Sequence, residues 1–223
     1  MPTKYTPIWL PDKLTHAGNR WFSFSPKAGR DTALANLLHF ERSIQLDWSP
    51  NVESFCEYPK EIERWVDSVH VRARLHFWVQ TKDGAERFER LAYDKPERTV
   101  EEIRADEACR RWCADEGHQF SCVKQQEVRA DLQFLANARY LRGFYDERTY
   151  VSRRADVAAA SLMAINHCEQ FGPTKFQHLF EKISGRISAA SARLGIIDLL
   201  REGRLTAQLS KLPFDSGTFL KAK

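Results

Sequence analysis

The stretch His70–Tyr93, HVRARLHFWVQTKDGAERFERLAY, decides which fold the rest of the chain can adopt. From Val71 to Val79 apolar residues alternate with polar ones, which is the period-two pattern of a strand with one buried face. Lys82-Asp83-Gly84 then supplies a turn, because an Asp-Gly pair tolerates the positive φ that tight hairpins need. A second run, Arg87–Tyr93, goes back the other way. The stretch therefore predicts a β-hairpin.

The composition is that of a folded protein outside the membrane. The chain has 223 residues, of which 43% are hydrophobic and 29% charged, so it can bury a core of one or two domains. No apolar run approaches the length of a membrane span, and the first residues lack the layout of a secretion signal. Five cysteines, an odd number, fit reduced thiols. We expect a cytoplasmic protein with no membrane partner.

Helical patterns lie on both sides of the hairpin. Apolar residues at steps of three and four predict a helix from Asp31 to Ser49-Pro50. Thr99 and Glu102 form a capping box that opens a helix running to about Glu116, with Gly117 as its cap. A strand over residues 120–123 and a helix over residues 132–143 follow. This order predicts an α/β domain over residues 1–150.

The remainder, residues 151–223, is mainly helical. The pattern predicts helices over residues 153–171, 175–183 and 188–202. Residues 205–209 then alternate, a turn follows at residues 213–217, and Phe219-Leu220 can pair back. Three helices followed by a hairpin is the layout of a winged helix, so we expect a winged-helix-like domain here.

Basic residues concentrate in this C-terminal part. It carries 11 Lys and Arg against 6 Asp and Glu, net +5, whereas the first 150 residues carry net −1. The candidate DNA contacts surround the second and third helices and the start of the wing: Lys175, Lys182, Arg186, Arg193, Arg201 and Arg204. Such charges hold duplex DNA through its phosphates without reading the sequence. A protein-docking module and a solvated basic face remain open alternatives.

Three stretches of the chain carry motifs in a distinctive order and spacing. The first is residues 46–59, LDWSPNVESFCEYP. The second combines Gly117-His118-Gln119-Phe120 with the Leu135, Asn137 and Leu141 positions of a Leu-x-Asn-x-x-x-Leu helix. The third is LLREGRL at residues 199–205, followed by Leu209 and Leu212-Pro213. Together they resemble the TnsA-like endonuclease subunit of bacterial heteromeric transposases, and the resemblance spans about residues 22–220.

The resemblance implies a restriction-endonuclease-like α/β N-terminal domain and a winged-helix-like C-terminal domain. In that family the nuclease cuts the 5′ strand at transposon ends, beside a separate transposase and an AAA+ type ATPase regulator. Its chemistry needs a Glu on the first helix, an Asp on the first hairpin strand and a Glu-x-Lys on the second. Clustered carboxylates hold Mg²⁺, which activates water and neutralises phosphate charge, while the lysine orients the water.

The catalytic residues that the resemblance implies are missing from this sequence. The first Glu position falls at His39, and the strand Asp falls at His76. The Glu-x-Lys pair falls near Arg90 and Ala92, or one residue later. A neutral imidazole cannot supply the anionic oxygen that Mg²⁺ prefers, and an Arg would repel the ion. We therefore expect a degenerate site with no catalytic residue and no cofactor.

Two other metal sites are weighed against this interpretation. Glu41 and Glu89 could hold Mg²⁺ in a relocated site, although their positions favour surface charges. His39 and His76, with His70 in reach, could instead bind Zn²⁺, although imidazoles packed in a filled former site are favoured.

A third candidate metal site is the spacing C-x₃-C-x₄-H-x₃-C. It is formed by Cys109, Cys113, His118 and Cys122 and superficially resembles a zinc knuckle. The surrounding residues are typical of a helix, a glycine cap and a strand, which favours buried structural thiols.

Three hypotheses of function follow from the sequence. The first is a non-catalytic TnsA-like subunit of a DNA transposition complex, a pseudoenzyme that contributes DNA binding at transposon ends and contacts to the transposase or the ATPase. The second is an active Mg²⁺-dependent DNA endonuclease that cuts the 5′ strand with relocated ligands. The third is a winged-helix DNA-binding regulator that uses the same scaffold.

Overall fold

The structure is a computed structural model that describes residues 4–9 and 20–223 of a mixed α/β protein. The chain divides into two compact units. The first contains residues up to Leu46 together with Asn51–Ala130, and the second contains Asp47–Pro50 and Asp131–Lys223. In the described part of the chain, no helix has the length and apolar character needed to cross a membrane.

The first unit contains most of the strands. In chain order its elements are β1 (Trp21–Ser25), β2 (Arg30–Leu34), α1 (Leu37–Trp48), β3 (Val52–Glu57), β4 (Glu61–Val66), β5 (Val69–Arg74), β6 (Phe77–Thr81), β7 (Glu86–Ala92), α2 (Val100–Asp115), β8 (Gln119–Lys124) and α3 (Gln125–Val128). The last two residues of α1 belong to the second unit. β1 and β2 form one antiparallel hairpin, and β4 and β5 form another.

The central sheet of this unit has the strand order β3-β6-β7-β8. β3, β6 and β7 are antiparallel neighbours, and β8 pairs parallel to β7 after the crossover through α2. Alternate residues of β6 face opposite sides. Phe77 contacts His39 of α1, with ring centroids 6.3 Å apart, whereas Trp78 packs in a core with Cys109 and Cys113 of α2. The sheet therefore lies between two helices.

The strand predicted from Val71 to Val79 is in fact two strands. β5 pairs with β4, while β6 pairs with β3 and β7. Between them Leu75 donates to Lys60 O and His76 donates to Glu89 O, so the backbone changes partners there. The turn at Gly84 is confirmed, with φ of 86°.

The sequence predicts the start of α2 correctly but not the start of α1. The helix predicted from Asp31 begins only at Leu37, because Arg30–Leu34 forms β2. By contrast, the capping box of α2 is confirmed: Glu102 N donates to Thr99 Oγ1 over 3.2 Å, and Thr99 N donates to the Glu102 carboxylate over 3.1 Å.

The second unit is mainly helical. Its further elements are α4 (Leu132–Arg142), α5 (Glu147–Ser152), α6 (Arg154–Phe171), β9 (Thr174–Lys175), α7 (Phe176–Ser184), α8 (Ala189–Arg201), β10 (Leu205–Thr206) and β11 (Phe219–Ala222). The small sheet has the order β10-β11-β9, and both pairs are antiparallel. The three predicted helices and the C-terminal strand pairing are thus present. β9, which lies where only a break was expected, adds a third strand.

The long segment of the second unit starts at Asp131, whereas the sequence predicts a boundary after residue 150. Asn137 of α4 supplies a physical reason. Its amide nitrogen donates to Leu209 O and Leu212 O, each over 2.7 Å, and its amide oxygen accepts from Phe214 N over 2.8 Å. α4 therefore packs with the C-terminal residues.

Candidate functional site

Two imidazoles, a buried one at His39 and a half-buried one at His76, occupy the positions where the resemblance places metal-binding acids. His39 lies on α1 and His76 immediately precedes β6, and their ring centroids are 4.4 Å apart. His39 Nδ1 lies 2.7 Å from the Tyr58 hydroxyl oxygen, which accepts from Ala35 N over 2.9 Å. His76 Nδ1 accepts from Leu91 N over 2.8 Å. One nitrogen of each ring is therefore committed to a protein group.

Both imidazoles are neutral at pH 7. Burial, and then the nearby charge of Arg90, lower the pKa of His39 to about 3. The pKa of His76 is well below its ordinary value because of burial first, and then because of His39, Arg90 and Arg74. The structure thus places the His39 and His76 rings in contact with each other, whereas the guanidinium of Arg90 pairs with Asp106 of α2.

Arg90 points to the other helix. Its Nε donates to Asp106 Oδ1 over 2.7 Å, and its Nη1 donates to Arg74 O over 2.7 Å. Asp106 also accepts from Arg98 over 2.6 Å and from the Cys122 thiol over 3.1 Å. Burial acts to raise the pKa of Asp106, but the Cys122 hydrogen bond and the charges of the two arginines lower it overall. The carboxylate nearest Arg90 is therefore held by protein donors.

Glu89 is not the surface charge that the sequence favours. It is fully buried, and both of its oxygens accept from Arg42 of α1, over 2.9 and 2.7 Å. Arg87 Nε donates to the same carboxylate over 2.8 Å. As the strand pattern predicts, Glu89 and Arg90 face opposite sides of the sheet, Glu89 toward α1 and Arg90 toward α2. The charge of Glu89 is balanced by two guanidinium groups.

Glu41, the other candidate acid, is also paired. Arg129 Nε donates to its Oε2 over 2.7 Å. Its side chain is 15% exposed, so it lies at the edge of the unit rather than in open solvent. Glu41 therefore has a protein partner of its own, as Glu89 does.

Metal ligands do not converge in the described residues. Among residues 4–9 and 20–223, no group of three or more His, Cys, Asp or Glu side chains is arranged to hold a metal ion. Neither the hypothetical Mg²⁺ site with Glu41 and Glu89 nor the hypothetical zinc site with His39, His76 and His70 forms such a group. The site as described offers a metal no open set of anionic oxygens.

The cysteine and histidine spacing also forms no zinc site. Cys109 and Cys113 lie in the core beneath α2, where burial raises the pKa of Cys109 to about 11 and that of Cys113 to about 12. Cys122 instead donates to Asp106, and the His118 ring packs 5.0 Å from the Phe88 ring. Cys109 and Cys113 are therefore buried structural groups, and the four side chains are not arranged to hold a metal ion.

The predicted DNA contacts of the second unit differ in exposure. Lys175, Lys182, Arg186 and Arg204 are exposed. Arg193 is half-buried, with its guanidinium 4.6 Å from the Phe144 ring and 5.2 Å from the Phe180 ring. Four of the six cations are therefore fully open to a ligand.

Arg201 is wrongly predicted as a DNA contact. It is buried, and its guanidinium donates twice to Asp198 Oδ1, over 3.2 and 3.1 Å. Tyr145 and Tyr150 donate to the same carboxylate over 2.7 and 3.0 Å. Nearly every residue of α8 from Ser191 onward is buried, so Arg201 stabilises the interior of this unit.

Comparison with known proteins does not assign a function to this site. No family model matches the chain, and no curated protein matches it. The interpretation of the site therefore rests on its residues.

The sequence does not predict the ion pair between Arg30 and the buried Glu57. Glu57 at the end of β3 is fully buried, and its two oxygens accept from Arg30, each over 2.6 Å. Its backbone neighbour Tyr58 holds His39, so the pair lies beside the imidazoles. The only sequence signal is an acid that ends an apolar strand, which does not reveal its partner.

Proposed function

We propose that this chain is a non-catalytic, TnsA-like subunit of a DNA transposition complex. It would contribute DNA binding and contacts to a transposase or an AAA+ type ATPase regulator. The observation that carries the proposal is that His39 and His76, which stand where the resemblance implies metal-binding acids, are in ring contact, while the nearby carboxylate of Glu89 is held by two arginines.

The arrangement of α1, β6 and β7 supports the restriction-endonuclease-like scaffold. The resemblance places the catalytic residues on one helix and two neighbouring strands. Here the ring of His39 in α1 contacts the ring of His76, which precedes β6, and Arg42 of α1 forms an ion pair with Glu89 of β7. These three elements therefore meet around polar side chains, which is the arrangement that the resemblance implies.

The chemistry of the filled positions supports a non-catalytic role. Mg²⁺ requires near-octahedral oxygen ligands, which come from carboxylates, water and substrate phosphate. Glu89 and Asp106 each accept from two arginines, so a metal would have to displace guanidinium groups that already neutralise them. His39 and His76 add neutral nitrogen in place of anionic oxygen. The same contacts therefore disfavour the relocated nuclease.

The second unit supports the DNA-binding part of the proposal. Its order of α6, β9, α7, α8, β10 and β11 fits the winged-helix-like domain that the resemblance implies. Exposed cations, among them Lys175, Lys182 and Arg186, lie on and beside α7. Because α8 is largely buried, we expect contacts to phosphates rather than the reading of bases by that helix.

A combined retention and nicking assay tests the proposal. The full chain is incubated with supercoiled plasmid in Mg²⁺ or Mn²⁺, and in parallel with a random-sequence duplex over a range of salt concentrations. We expect salt-dependent retention of the duplex without nicking of the plasmid. Metal-dependent nicking that is lost in Glu41→Gln or Glu89→Gln, but kept in the exposed control Glu63→Gln, would overturn the non-catalytic assignment.

A further inference from the structure

A depression on the second unit is lined by aromatic and basic side chains. Its volume is about 490 Å³, and its principal lining residues are His167, Phe171, Lys175, His178, Lys182 and Phe219. We call this the Phe171–Phe219 surface. These residues come from the end of α6, from β9, from α7 and from β11. The fold thus gathers them from four elements onto one face.

Both phenylalanine rings of this surface are open to solvent. Phe171 is 60% exposed and Phe219 is 57% exposed. Each has a lysine over its ring: Lys182 Nζ lies 4.8 Å from the Phe171 ring centroid, and Lys175 Nζ lies 5.8 Å from the Phe219 centroid. The surface therefore combines an exposed aromatic ring with a cation at two separate places.

Two histidines lie between these places. The His167 ring centroid is 4.7 Å from that of Phe171 and 6.1 Å from that of His178. No Asp or Glu is among the described residues that line the depression. The charged side chains that line it are therefore the two lysines, Lys175 and Lys182, which favours an anionic ligand.

A second depression continues the surface along the wing. Its volume is about 750 Å³, and it shares Pro173 and Phe219 with the first. Lys221 of β11 adds a third lysine there. Asp215 lines it too, but its Oδ1 accepts from Gly217 N over 2.8 Å and is thus turned to its own loop. The continuity favours an extended ligand over a compact one.

We propose that the Phe171–Phe219 surface binds single-stranded nucleic acid. One base stacks on Phe171 and another on Phe219, while Lys175, Lys182 and Lys221 hold the backbone phosphates. Aromatic platforms interleaved with cations are how proteins bind unpaired strands, since every base has a π-face and every nucleotide a phosphate. Bases in a duplex are already stacked on one another, so a duplex offers no face to these rings.

The inference rests on the proposed function only in taking nucleic acid as the ligand of the second unit. An acidic protein segment would pair with the lysines but would gain less from two exposed rings. The experiment below separates these two ligands.

Fluorescence anisotropy of the full chain with a labelled mixed-sequence 12-nucleotide DNA strand, and with the same DNA as a duplex, tests the inference. We expect Phe171→Ala and Phe219→Ala each to lower affinity for the single strand about fivefold or more, with little change for the duplex. Phe171→Tyr keeps the affinity, because the ring remains. The matched control Leu162→Ala, which removes an exposed apolar side chain from α6, leaves both affinities unchanged.

The salt dependence supplies a second measurement. Lys182→Gln removes one phosphate contact, so the slope of log affinity against log salt for the single strand falls by about 0.7. Lys211→Gln, an exposed lysine outside both depressions, keeps the wild-type slope.

Two results would overturn the inference. If the alanine variants at Phe171 and Phe219 bind the single strand as tightly as the wild type while the duplex is retained, the ring surface is not the site and the proposed function stands. If a labelled poly-glutamate peptide binds and neither form of DNA does, the second unit is a protein-docking module and the DNA-binding part of the proposed function fails as well.

Discussion

Replacing Glu89 with glutamine tests whether this carboxylate stabilises the fold or belongs to a metal site. Glutamine keeps the shape of the side chain but removes the charge, which leaves Arg42 and Arg87 without their shared counter-ion. Breaking a buried ion pair costs about 3–5 kcal/mol. The two arginine side chains keep 16% and 29% exposure, so water compensates part of the loss. We expect the free energy of unfolding to fall by about 3 kcal/mol, at the lower end of that range.

Urea unfolding of the full chain, with and without Mg²⁺, measures this loss. The matched control is Glu63→Gln, whose carboxylate is 57% exposed and pairs with Arg72 over 3.4 Å. That substitution costs at most about 1 kcal/mol. A metal site at Glu89 would behave differently, because Mg²⁺ at ten times its dissociation constant adds about 1.4 kcal/mol to the wild type. Wild-type stability in Glu89→Gln, together with a Mg²⁺ gain that this variant loses, would refute the reasoning.

Three further predictions concern stability and are measured by the same unfolding experiment. Acidification from pH 7 to pH 5 lowers the free energy of unfolding by about 2 kcal/mol through His39 alone, because its folded pKa of about 3 lies below the unfolded value of about 6.5 and the unfolded state takes up the proton. This stabilisation is fully present above the unfolded pKa and is lost as the pH falls toward the folded pKa. The variant His39→Gln lacks this decrease in the free energy of unfolding, whereas the exposed control His70→Gln shows the same decrease as the wild type. Gly195→Ala destabilises by about 1–3 kcal/mol, since its Cβ would lie 2.7–2.9 Å from atoms of α6, whereas Gly185→Ala, with its nearest atom at 3.7 Å, is tolerated; equal stabilities would contradict this. Thr99→Ala removes the cap of α2 and costs about 1 kcal/mol, and a loss restored by Thr99→Ser would confirm the cause.

Local signals account for the elements that the sequence predicts well. The capping box at Thr99 and Glu102 lies within one turn of chain, so its donors and acceptors can be recognised from spacing alone. The turn at Gly84 is likewise decided by the backbone freedom of a single residue.

Strand partners are decided over longer distances, and there the sequence is insufficient. The alternating pattern continues unbroken from β5 into β6, yet the two strands pair with different neighbours. Periodicity reports which side a residue faces but not which strand it pairs with. β9 has only two residues, Thr174–Lys175, which is too short for any pattern.

The partners of charged residues in the candidate site are also decided by residues that are distant in the sequence. Glu57 and Glu89 resemble ordinary surface acids in the sequence, but Arg30 lies 27 residues from Glu57 and Arg42 lies 47 residues from Glu89 along the chain. Arg201 resembles a DNA contact because its helix was expected to expose a basic face, whereas α8 is almost wholly buried. The sequence places His39 near His76, and the two rings are in contact, but the side of the sheet that Arg90 faces and the partners that fill the hydrogen bonds of these residues could not be anticipated.

Mn²⁺ titration of the full chain, followed by electron paramagnetic resonance, tests the central claim most directly. Free and site-bound Mn²⁺ give different signals, so the measurement does not depend on DNA or on a partner protein. Because neutral imidazoles of His39 and His76 stand where the resemblance implies acids, and because Glu89 is held by two arginines, the proposed function predicts no site-bound Mn²⁺. One bound Mn²⁺ per chain that is lost in Glu89→Gln but kept in Glu63→Gln would contradict it.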